Sequence, residues 1–153
     1  MNEKNINFSI EDMQLALSNI IRQMQKSKWA PKVILSINRG GCIPGVYLSH
    51  AIKVPHKVLD VQLRDSDNKP NLDVLKYSIN RYKTILIIDD INDTGATFNF
   101  IKKNIKDINT EVHYAVLVNN LSSDFKVEYK GKVIDKSKTP SWIVFPWEKT
   151  KVY

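Results

Sequence analysis

The segment from Ile85 to Thr97 holds the residues most capable of chemistry. The apolar run Ile85-Leu86-Ile87-Ile88 leads into Asp89 and Asp90, and then into Asp93-Thr94-Gly95-Ala96-Thr97. Two adjacent carboxylates suit sugar hydroxyls or a divalent cation that takes oxygen ligands. A loop of hydroxyl residues and glycine before a helix presents free N–H groups at the positive end of the helix dipole, where a phosphate binds well. The segment therefore predicts a phosphate site beside a sugar or cation site.

A second loop of the same kind follows an earlier apolar run, Val33 to Ile37. It reads Asn38-Arg39-Gly40-Gly41. Adjacent glycines let backbone N–H groups approach an anion without interference from a Cβ atom, and Arg39 adds a fixed positive charge. Taken alone, a glycine pair after a strand is usually only a turn. The prediction of an anion site here therefore depends on the acidic segment as well.

The acidic segment has alternative interpretations. An Asp-Asp pair after a strand can be solvated charge, and response regulators also carry one, but near the start of the chain and without a following Asp-Thr-Gly-Ala-Thr. A nucleotide-binding P-loop would need G-x-x-x-x-G-K-[ST], which this sequence lacks. Because several independent requirements coincide in residues 87–97, we favour a binding element.

Hydrophobic periodicity predicts the elements that must position these loops. Apolar residues at helical spacing behind Ser9 predict a capped helix over about 9–26. The remaining predicted elements are a small helix near 43–52, a strand from Val58 to Leu63, a polar loop over 64–84, a buried strand at 85–88, a helix marked by Phe98, Ile101, Ile105 and Ile108, a strand from His113 to Val118, and short strands at 133–134 and 142–145. Strands that alternate with helices predict an α/β fold with a largely parallel sheet, whose ligands bind beyond the carboxyl ends of the strands.

Length and composition limit the classes of protein. With 153 residues the chain fits one domain of roughly 150 residues. No apolar run approaches the roughly 20 residues of a membrane span, and the N-terminus has no apolar signal core, so we expect a cytoplasmic protein without a membrane partner. Cys42 is the only cysteine, which excludes an internal disulfide.

The net charge of +7 allows a nucleic-acid surface, but two observations weaken that hypothesis. Only four of the 23 basic residues are arginine, and the lysines are scattered along the chain. An anionic small substrate explains the positive charge equally well.

Three segments resemble the type I phosphoribosyltransferases. The segment Ile-Leu-Ile-Ile-Asp-Asp-Ile-Asn-Asp-Thr-Gly-Ala-Thr is similar to that family's motif for phosphoribosyl pyrophosphate (PRPP). Leu35 to Gly45 resembles the family's pyrophosphate loop, and Ser-Trp-Ile-Val-Phe-Pro-Trp-Glu at 141–148 resembles the C-terminal segment of the xanthine–guanine branch and its archaeal relatives. The resemblance covers about residues 5–150.

For the architecture, the resemblance implies a single phosphoribosyltransferase-like domain over 1–153, with a mainly parallel sheet flanked by helices and a small hood. Residues 64–84 would be the mobile hood loop, with Arg64 and Lys69 as candidates to reach pyrophosphate. Residues 121–153 would form the C-terminal base-binding segment. Small members of the family self-associate, so a homo-oligomer, either a dimer or a tetramer, is expected.

For the activity, the resemblance implies Mg²⁺-dependent transfer of ribose 5-phosphate from PRPP to a purine of the guanine, xanthine or hypoxanthine class, with release of pyrophosphate, in nucleobase salvage. The bond to the leaving group breaks before the new bond is well formed, so the transition state is oxocarbenium-like. The implied PRPP ligands are Arg39, Gly40, Gly41, Asp89, Asp90, Asp93, Thr94, Gly95, Ala96 and Thr97.

Within that set the resemblance implies particular roles. Asp89 and Asp90 would address the ribose hydroxyls and Mg²⁺, and Asp93 would be the general base that faces N7 of the purine. The peptide bond between Asn38 and Arg39 would be cis. Trp142 would stack on the purine, and the backbone of Ile143 would contact its edge.

Asn120 marks a departure from the xanthine–guanine branch. That branch carries a lysine at or near this position, and the lysine donates to the 6-oxo group. An amide can donate or accept, so Asn120 as a base-binding residue implies a weaker or different discrimination. Two alternatives therefore stay open: a PRPP-binding regulatory protein without base transfer, and a phosphoribosyltransferase whose acceptor is not a 6-oxopurine.

Overall fold

The structure is a computed structural model that describes residues 3–63, 69–106 and 109–148. Its strands are β1 (Lys4–Asn7), β2 (Val33–Ile37), β3 (His56–Leu59), β4 (Thr84–Asn92), β5 (Glu111–Asn120), β6 (Tyr129–Ile134) and β7 (Ser141–Val144). Its helices are α1 (Ile10–Lys26), α2 (Cys42–Ile52), α3 (Asp73–Arg81) and α4 (Ala96–Lys103), with a 3-10 turn at Pro146–Glu148. Over the described ranges, no helix is both long and apolar enough to cross a membrane.

The central sheet has five parallel strands in the order β3-β2-β4-β5-β6. Its inner strands are continuous apolar runs rather than alternating patterns, because helices and loops cover both faces. One core cluster includes Met13, Ile20 and Phe145, and the other includes Ile87 and Phe98. The prediction of an α/β fold with a mainly parallel sheet flanked by helices is confirmed.

Helix α1 begins and ends as its sequence predicts. Ser9 Oγ accepts from the Asp12 backbone N–H at 3.0 Å, and the Asp12 carboxylate accepts from the Ser9 N–H at 2.9 Å, which forms a capping box. Near its far end, the Gln23 amide donates to the Lys130 carbonyl at 2.7 Å and accepts from the Lys130 N–H at 3.1 Å. The helix therefore holds the edge strand β6 in place.

A second sheet joins the two ends of the described chain. Strand β1 pairs in parallel with β7, with Asn5 opposite Trp142 and Ile6 opposite Ile143. The pairing continues on both sides, because the Lys4 N–H donates to Pro140 and the Phe8 N–H donates to Val144. Strand β1 has no counterpart in the sequence-based prediction, since its four residues, Lys-Asn-Ile-Asn, carry no strand pattern.

Three element predictions need correction. The segment 64–84, predicted as a loop, contains helix α3, and Leu75 and Ser78 of this helix are buried on one face. Residues 64–68, including Arg64, lie outside the described residues. The strand predicted at 58–63 is β3 at His56–Leu59, because its register with β2 ends where β2 ends. Helix α4 stops at Lys103 with Asn104 as its cap, so Ile105 lies beyond it, and Ile108 lies outside the described residues.

Candidate active site

The two predicted anion loops lie side by side at the carboxyl edge of the sheet. Strands β2 and β4 are parallel neighbours, with Ser36 opposite Ile88, so the loop at 38–41 and the loop at 93–95 start from the same edge. Gly40 lies so close to Asp90 that a Cβ atom there would overlap the Asp90 carboxylate. A side chain at position 40 would therefore displace the Asp90 carboxylate.

The first loop has the backbone that the resemblance implies. The Asn38–Arg39 peptide bond is cis. Gly41 lies behind the loop as the N-cap of α2, where an added Cβ would be 2.5 Å from the Ile88 carbonyl oxygen. The Arg39 side chain is exposed toward the open side of the loop.

The second loop turns into α4 through Gly95. Gly95 has φ +89°, in the left-handed region that favours glycine, and an added Cβ would lie 2.7 Å from the Phe125 nitrogen. The Ala96 N–H donates to Thr94 Oγ1 at 3.3 Å. This start of the helix borders a cavity of about 380 Å³, whose lining includes Asp93, Thr94, Gly95, Ala96 and Thr97. Free N–H groups and hydroxyls at a helix N-terminus are the chemistry of a phosphate site.

Asp89 and Asp90 sit at the end of β4 and face a larger cavity of about 980 Å³. Burial, together with the neighbouring carboxylate, raises the pKa of Asp89 well above its ordinary value. Burial likewise raises the pKa of Asp90, although its carboxylate accepts hydrogen bonds from the Ile91 N–H at 2.7 Å and from Trp147 Nε1 at 3.4 Å. Two adjacent carboxylates whose charge is destabilised by burial are suited to a cation.

Trp142 and Ile143 form the opposite wall of the larger cavity. Both lie on β7, where Trp142 is 46% exposed and Ile143 is buried. A large aromatic ring left open toward a cavity can stack on a flat ligand. Asp93, which lines both cavities, lies between this wall and the phosphate loop.

Asp93 is held by two side chains. Lys136 Nζ lies 3.1 Å from Asp93 Oδ1, in an ion pair whose side chains are 17% and 24% exposed. The Asn120 amide donates to the Asp93 carbonyl oxygen at 3.0 Å and to Asp93 Oδ1 at 3.4 Å. Among the described residues, both contacts to the Asp93 carboxylate reach Oδ1.

Comparison with known proteins identifies the family of this chain. Residues 8–150 match the family described as phosphoribosyl transferase domain. The chain belongs to the phosphoribosyl transferase family.

Several solved structures resemble the chain over nearly all of its length. A purine phosphoribosyltransferase from Pyrococcus horikoshii is 26% identical, with a TM-score of 0.72 over 98% of this chain and 97% of that one. A xanthine–guanine–hypoxanthine phosphoribosyltransferase from Helicobacter pylori is 20% identical, with a TM-score of 0.71 over 96% and 94%. A hypothetical protein from Neisseria gonorrhoeae with bound ppGpp is 19% identical, with a TM-score of 0.79 over 99% and 93%.

These findings confirm the prediction of a type I phosphoribosyltransferase. The chain is an enzyme of the phosphoribosyltransferase class. The loops at 38–41 and 93–97 and the strand that carries Trp142 therefore form the candidate active site of this phosphoribosyltransferase.

Most of the predicted site residues of this phosphoribosyltransferase meet at the two cavities. The larger cavity is lined by Arg39, Gly40, Asp89, Asp90, Asp93, Thr97, Trp142 and Ile143, and the smaller one adds Thr94, Gly95 and Ala96. Two predicted residues lie behind the walls. Gly41 packs against Ile88 and Ile37, and Asn120 is buried with both ends of its amide bonded to protein.

Sequence reasoning missed Lys136, Trp147 and Glu148 as lining residues of the larger cavity. Trp147 stacks on Phe145 with ring centroids 5.0 Å apart, and its indole N–H reaches Asp90. Lys136 follows β6 in the sequence Asp-Lys-Ser-Lys, where it resembles any other solvated lysine. Only its position in three dimensions distinguishes it.

Asp89 and Asp90 fit the Mg²⁺ that the resemblance to this family implies. Mg²⁺ is usually held by one or two carboxylates together with substrate phosphates and waters rather than by a full protein cage. Among the described residues there is no cluster of three or more acidic, histidine or cysteine side chains, while Asp89 and Asp90 stand together at the cavity wall with raised pKa values. The donor set is that of a cation shared with a phosphorylated ligand.

Proposed function

We propose that this phosphoribosyltransferase transfers ribose 5-phosphate from PRPP to a ring nitrogen of a 6-oxopurine, with Mg²⁺, and releases pyrophosphate in nucleobase salvage in the cytoplasm. The observation that carries the proposal is that the two cavities share Asp89, Asp90, Asp93 and Thr97 among their lining residues. A helix N-terminus suited to phosphate, an acidic pair and an exposed aromatic ring therefore border two adjoining cavities. The similar structures of a purine and a xanthine–guanine–hypoxanthine phosphoribosyltransferase support a purine acceptor.

The substrate parts can be assigned to the walls by charge and shape. The 5-phosphate binds at the N-terminus of helix α4, and the pyrophosphate binds at Arg39 and Gly40. The ribose lies over Asp89 and Asp90. The base stacks on Trp142. This order places the anomeric carbon between Asp93 and the pyrophosphate loop, so the two substrates are held for direct displacement.

In the reaction, the bond between the anomeric carbon and the pyrophosphate oxygen breaks, and a bond to the base nitrogen forms. Pyrophosphate leaves with the electron pair, and the proton on the base nitrogen passes to the Asp93 carboxylate. Mg²⁺, when bound at Asp89 and Asp90 with PRPP, would offset the negative charge that develops on the leaving pyrophosphate. Arg39 stabilises the same charge from the loop.

A panel of nucleobases, each mixed with PRPP and Mg²⁺ and followed by pyrophosphate release, tests the proposal. We expect turnover with hypoxanthine, guanine or xanthine, and loss of turnover when Mg²⁺ is chelated. PRPP binding without turnover on any base would favour a PRPP-binding regulatory protein. Turnover confined to adenine or to a non-purine would favour another acceptor, and failure to bind PRPP would contradict the whole proposal.

A further inference from the structure

We propose that Lys136 is the residue that selects the base, because its ammonium donates to the 6-oxo group of a purine stacked on Trp142. The inference rests on the proposed function and adds a specificity-determining residue to it. Lys136 comes from the turn after β6, whereas Asn120, at the position of the lysine of the xanthine–guanine branch, ends β5.

Asn120 is not free to read the base. Its amide nitrogen donates to Asp93, and its oxygen accepts from the Ser122 N–H at 3.3 Å, from Ser122 Oγ at 3.0 Å and from the Lys136 N–H at 3.0 Å. An amide with these partners has no hydrogen-bonding capacity left for a ligand. Asn120 instead ties the Asp93 loop to the Lys136 backbone.

That tie directs the Lys136 side chain into the cavity. Its Nζ lies 3.1 Å from Asp93 Oδ1 and 5.6 Å from the centroid of the Trp142 ring. An ammonium carries three donors and no acceptor, and the contact with Asp93 occupies one of them. The other donors remain available to a ligand in the cavity that Lys136 and Trp142 both line.

A donor-only group distinguishes the two common purine types. A 6-oxo group is an acceptor and pairs with an ammonium, whereas a 6-amino group is itself a donor and would face the ammonium without a bond. A site that presents a buried polar group rejects the ligand that leaves the group unpaired. Lys136 should therefore favour hypoxanthine over adenine.

A purely structural role for Lys136 is the competing interpretation. Lys138, two residues later, shows what such a role looks like: it pairs with Asp135 at 3.6 Å while its side chain is 83% exposed. Lys136 differs in its low exposure, its place in the cavity lining and its position over the aromatic ring. These three features are expected of a ligand-facing lysine and are not needed for a surface ion pair.

The test compares Lys136→Met and Lys136→Gln with Lys138→Met as the matched control. Base binding is measured by titrating hypoxanthine and adenine into the protein with pyrophosphate and Mg²⁺, and kcat/KM is measured for each base with PRPP. For Lys136→Met we expect kcat/KM for hypoxanthine to fall on the order of tenfold to a hundredfold, as for loss of a charged hydrogen bond. The preference for hypoxanthine over adenine should fall with it, and KM for PRPP should change less than about twofold.

Lys136→Gln keeps a neutral donor beside Asp93, so it should retain the fold and recover part of the preference. Thermal unfolding of all three variants shows whether folding is affected. If both bases lose activity equally, or if Lys138→Met behaves like Lys136→Met, Lys136 acts only through Asp93 or stability and the inference is overturned. A wild-type protein that binds neither base overturns the proposed function as well, whereas hypoxanthine turnover with an unchanged preference in Lys136→Met overturns this inference alone.

Discussion

At the scale of single residues, Asp93 connects several parts of the candidate site. It lines both cavities, and its Oδ1 is held by Lys136 and Asn120. A carboxylate held in this way cannot rotate freely, which suits the proton acceptor proposed above. The ion pair with Lys136 also links base recognition to the proposed proton acceptor.

Asp93→Asn should cut kcat by roughly 10²- to 10⁴-fold, the usual contribution of a general base, because an amide cannot take the proton. Steady-state kinetics with hypoxanthine and PRPP measure the loss, and KM for PRPP should change little. Asp73→Asn, at an exposed position in α3, is the control. A change in kcat of only a few-fold, with normal base binding, would show that Asp93 only shapes the loop.

His56 should make stability depend on pH. Burial lowers the pKa of His56 below its ordinary value, and its Nε2 lies 2.7 Å from Ser36 Oγ, which is fully buried. The unfolded chain therefore takes up a proton near pH 6.5, while the folded chain does so only at lower pH, so the free energy of unfolding falls as pH is lowered through that window. Below the folded pKa the loss stops growing.

Urea unfolding of the wild type, His56→Gln and His50→Gln between pH 7.5 and 5, a window around the ordinary histidine pKa of about 6.5, measures this effect. His56→Gln should show a shallower dependence than the wild type, and His50→Gln, at an exposed position, should match the wild type. Equal slopes for all three proteins would mean that His56 titrates alike in the folded and unfolded chains.

At the scale of elements, the small β1–β7 sheet positions the proposed base site, and the central sheet positions the proposed PRPP site. Strand β7 carries Trp142 and Ile143, and among the described strands its ladder partner is β1. Strands β2 and β4 carry the two anion loops. In the proposed function, recognition of the base and of PRPP would therefore depend on different hydrogen-bonded ladders, and mutation can test them separately.

Ile6→Pro should weaken base binding more than PRPP binding. Proline removes a backbone donor and is poorly accepted inside a paired strand, so β7 would lose its register against β1. We expect KM for hypoxanthine to rise about tenfold or more, while KM for PRPP changes less than about twofold. Ile6→Val keeps the β-branched strand residue as the control, and an equal rise of both KM values would contradict the separation.

At the scale of the whole molecule, the charge of +7 agrees with a substrate that carries several phosphates. The basic residues do not need a nucleic-acid partner, because the two cavities already gather anion-binding loops at one edge of the sheet. Self-association as a dimer or tetramer, which the resemblance implies, stays a prediction that light scattering tests.

PRPP with Mg²⁺ should stabilise the folded chain, and duplex DNA should not. A ligand at a hundred times its Kd raises the free energy of unfolding by about 2.7 kcal/mol. Thermal unfolding with PRPP and Mg²⁺, with Mg²⁺ alone and with duplex DNA at physiological salt measures the difference. A larger rise with DNA than with PRPP would indicate that the positive charge serves a nucleic acid.

The sequence by itself determined the features that depend on neighbouring residues. The apolar run before Asp89, the loop Asp93 to Thr97 and the cap at Ser9 are local patterns, and the structure places each where the pattern predicts it. Strand alternation with helices also determined the parallel sheet, which brings the carboxyl ends of β2 and β4 together. Even α3 left a local signal in the spacing of Leu75 and Ser78, which the polar composition of 64–84 obscured.

Only the tertiary structure decided which polar side chains face the cavity. Asn120 is the last residue of β5 and Lys136 follows β6, and nothing local to either distinguishes a buried structural amide from a ligand-facing cation. The distinction arises because β5 and the turn after β6 meet at Asp93. There the Asn120 amide is hydrogen-bonded to protein groups, whereas the Lys136 ammonium contacts Asp93 with only one of its three donors. The pairing of β1 with β7 was decided in the same way, since strand pairing between distant segments depends on packing that no short stretch of sequence encodes.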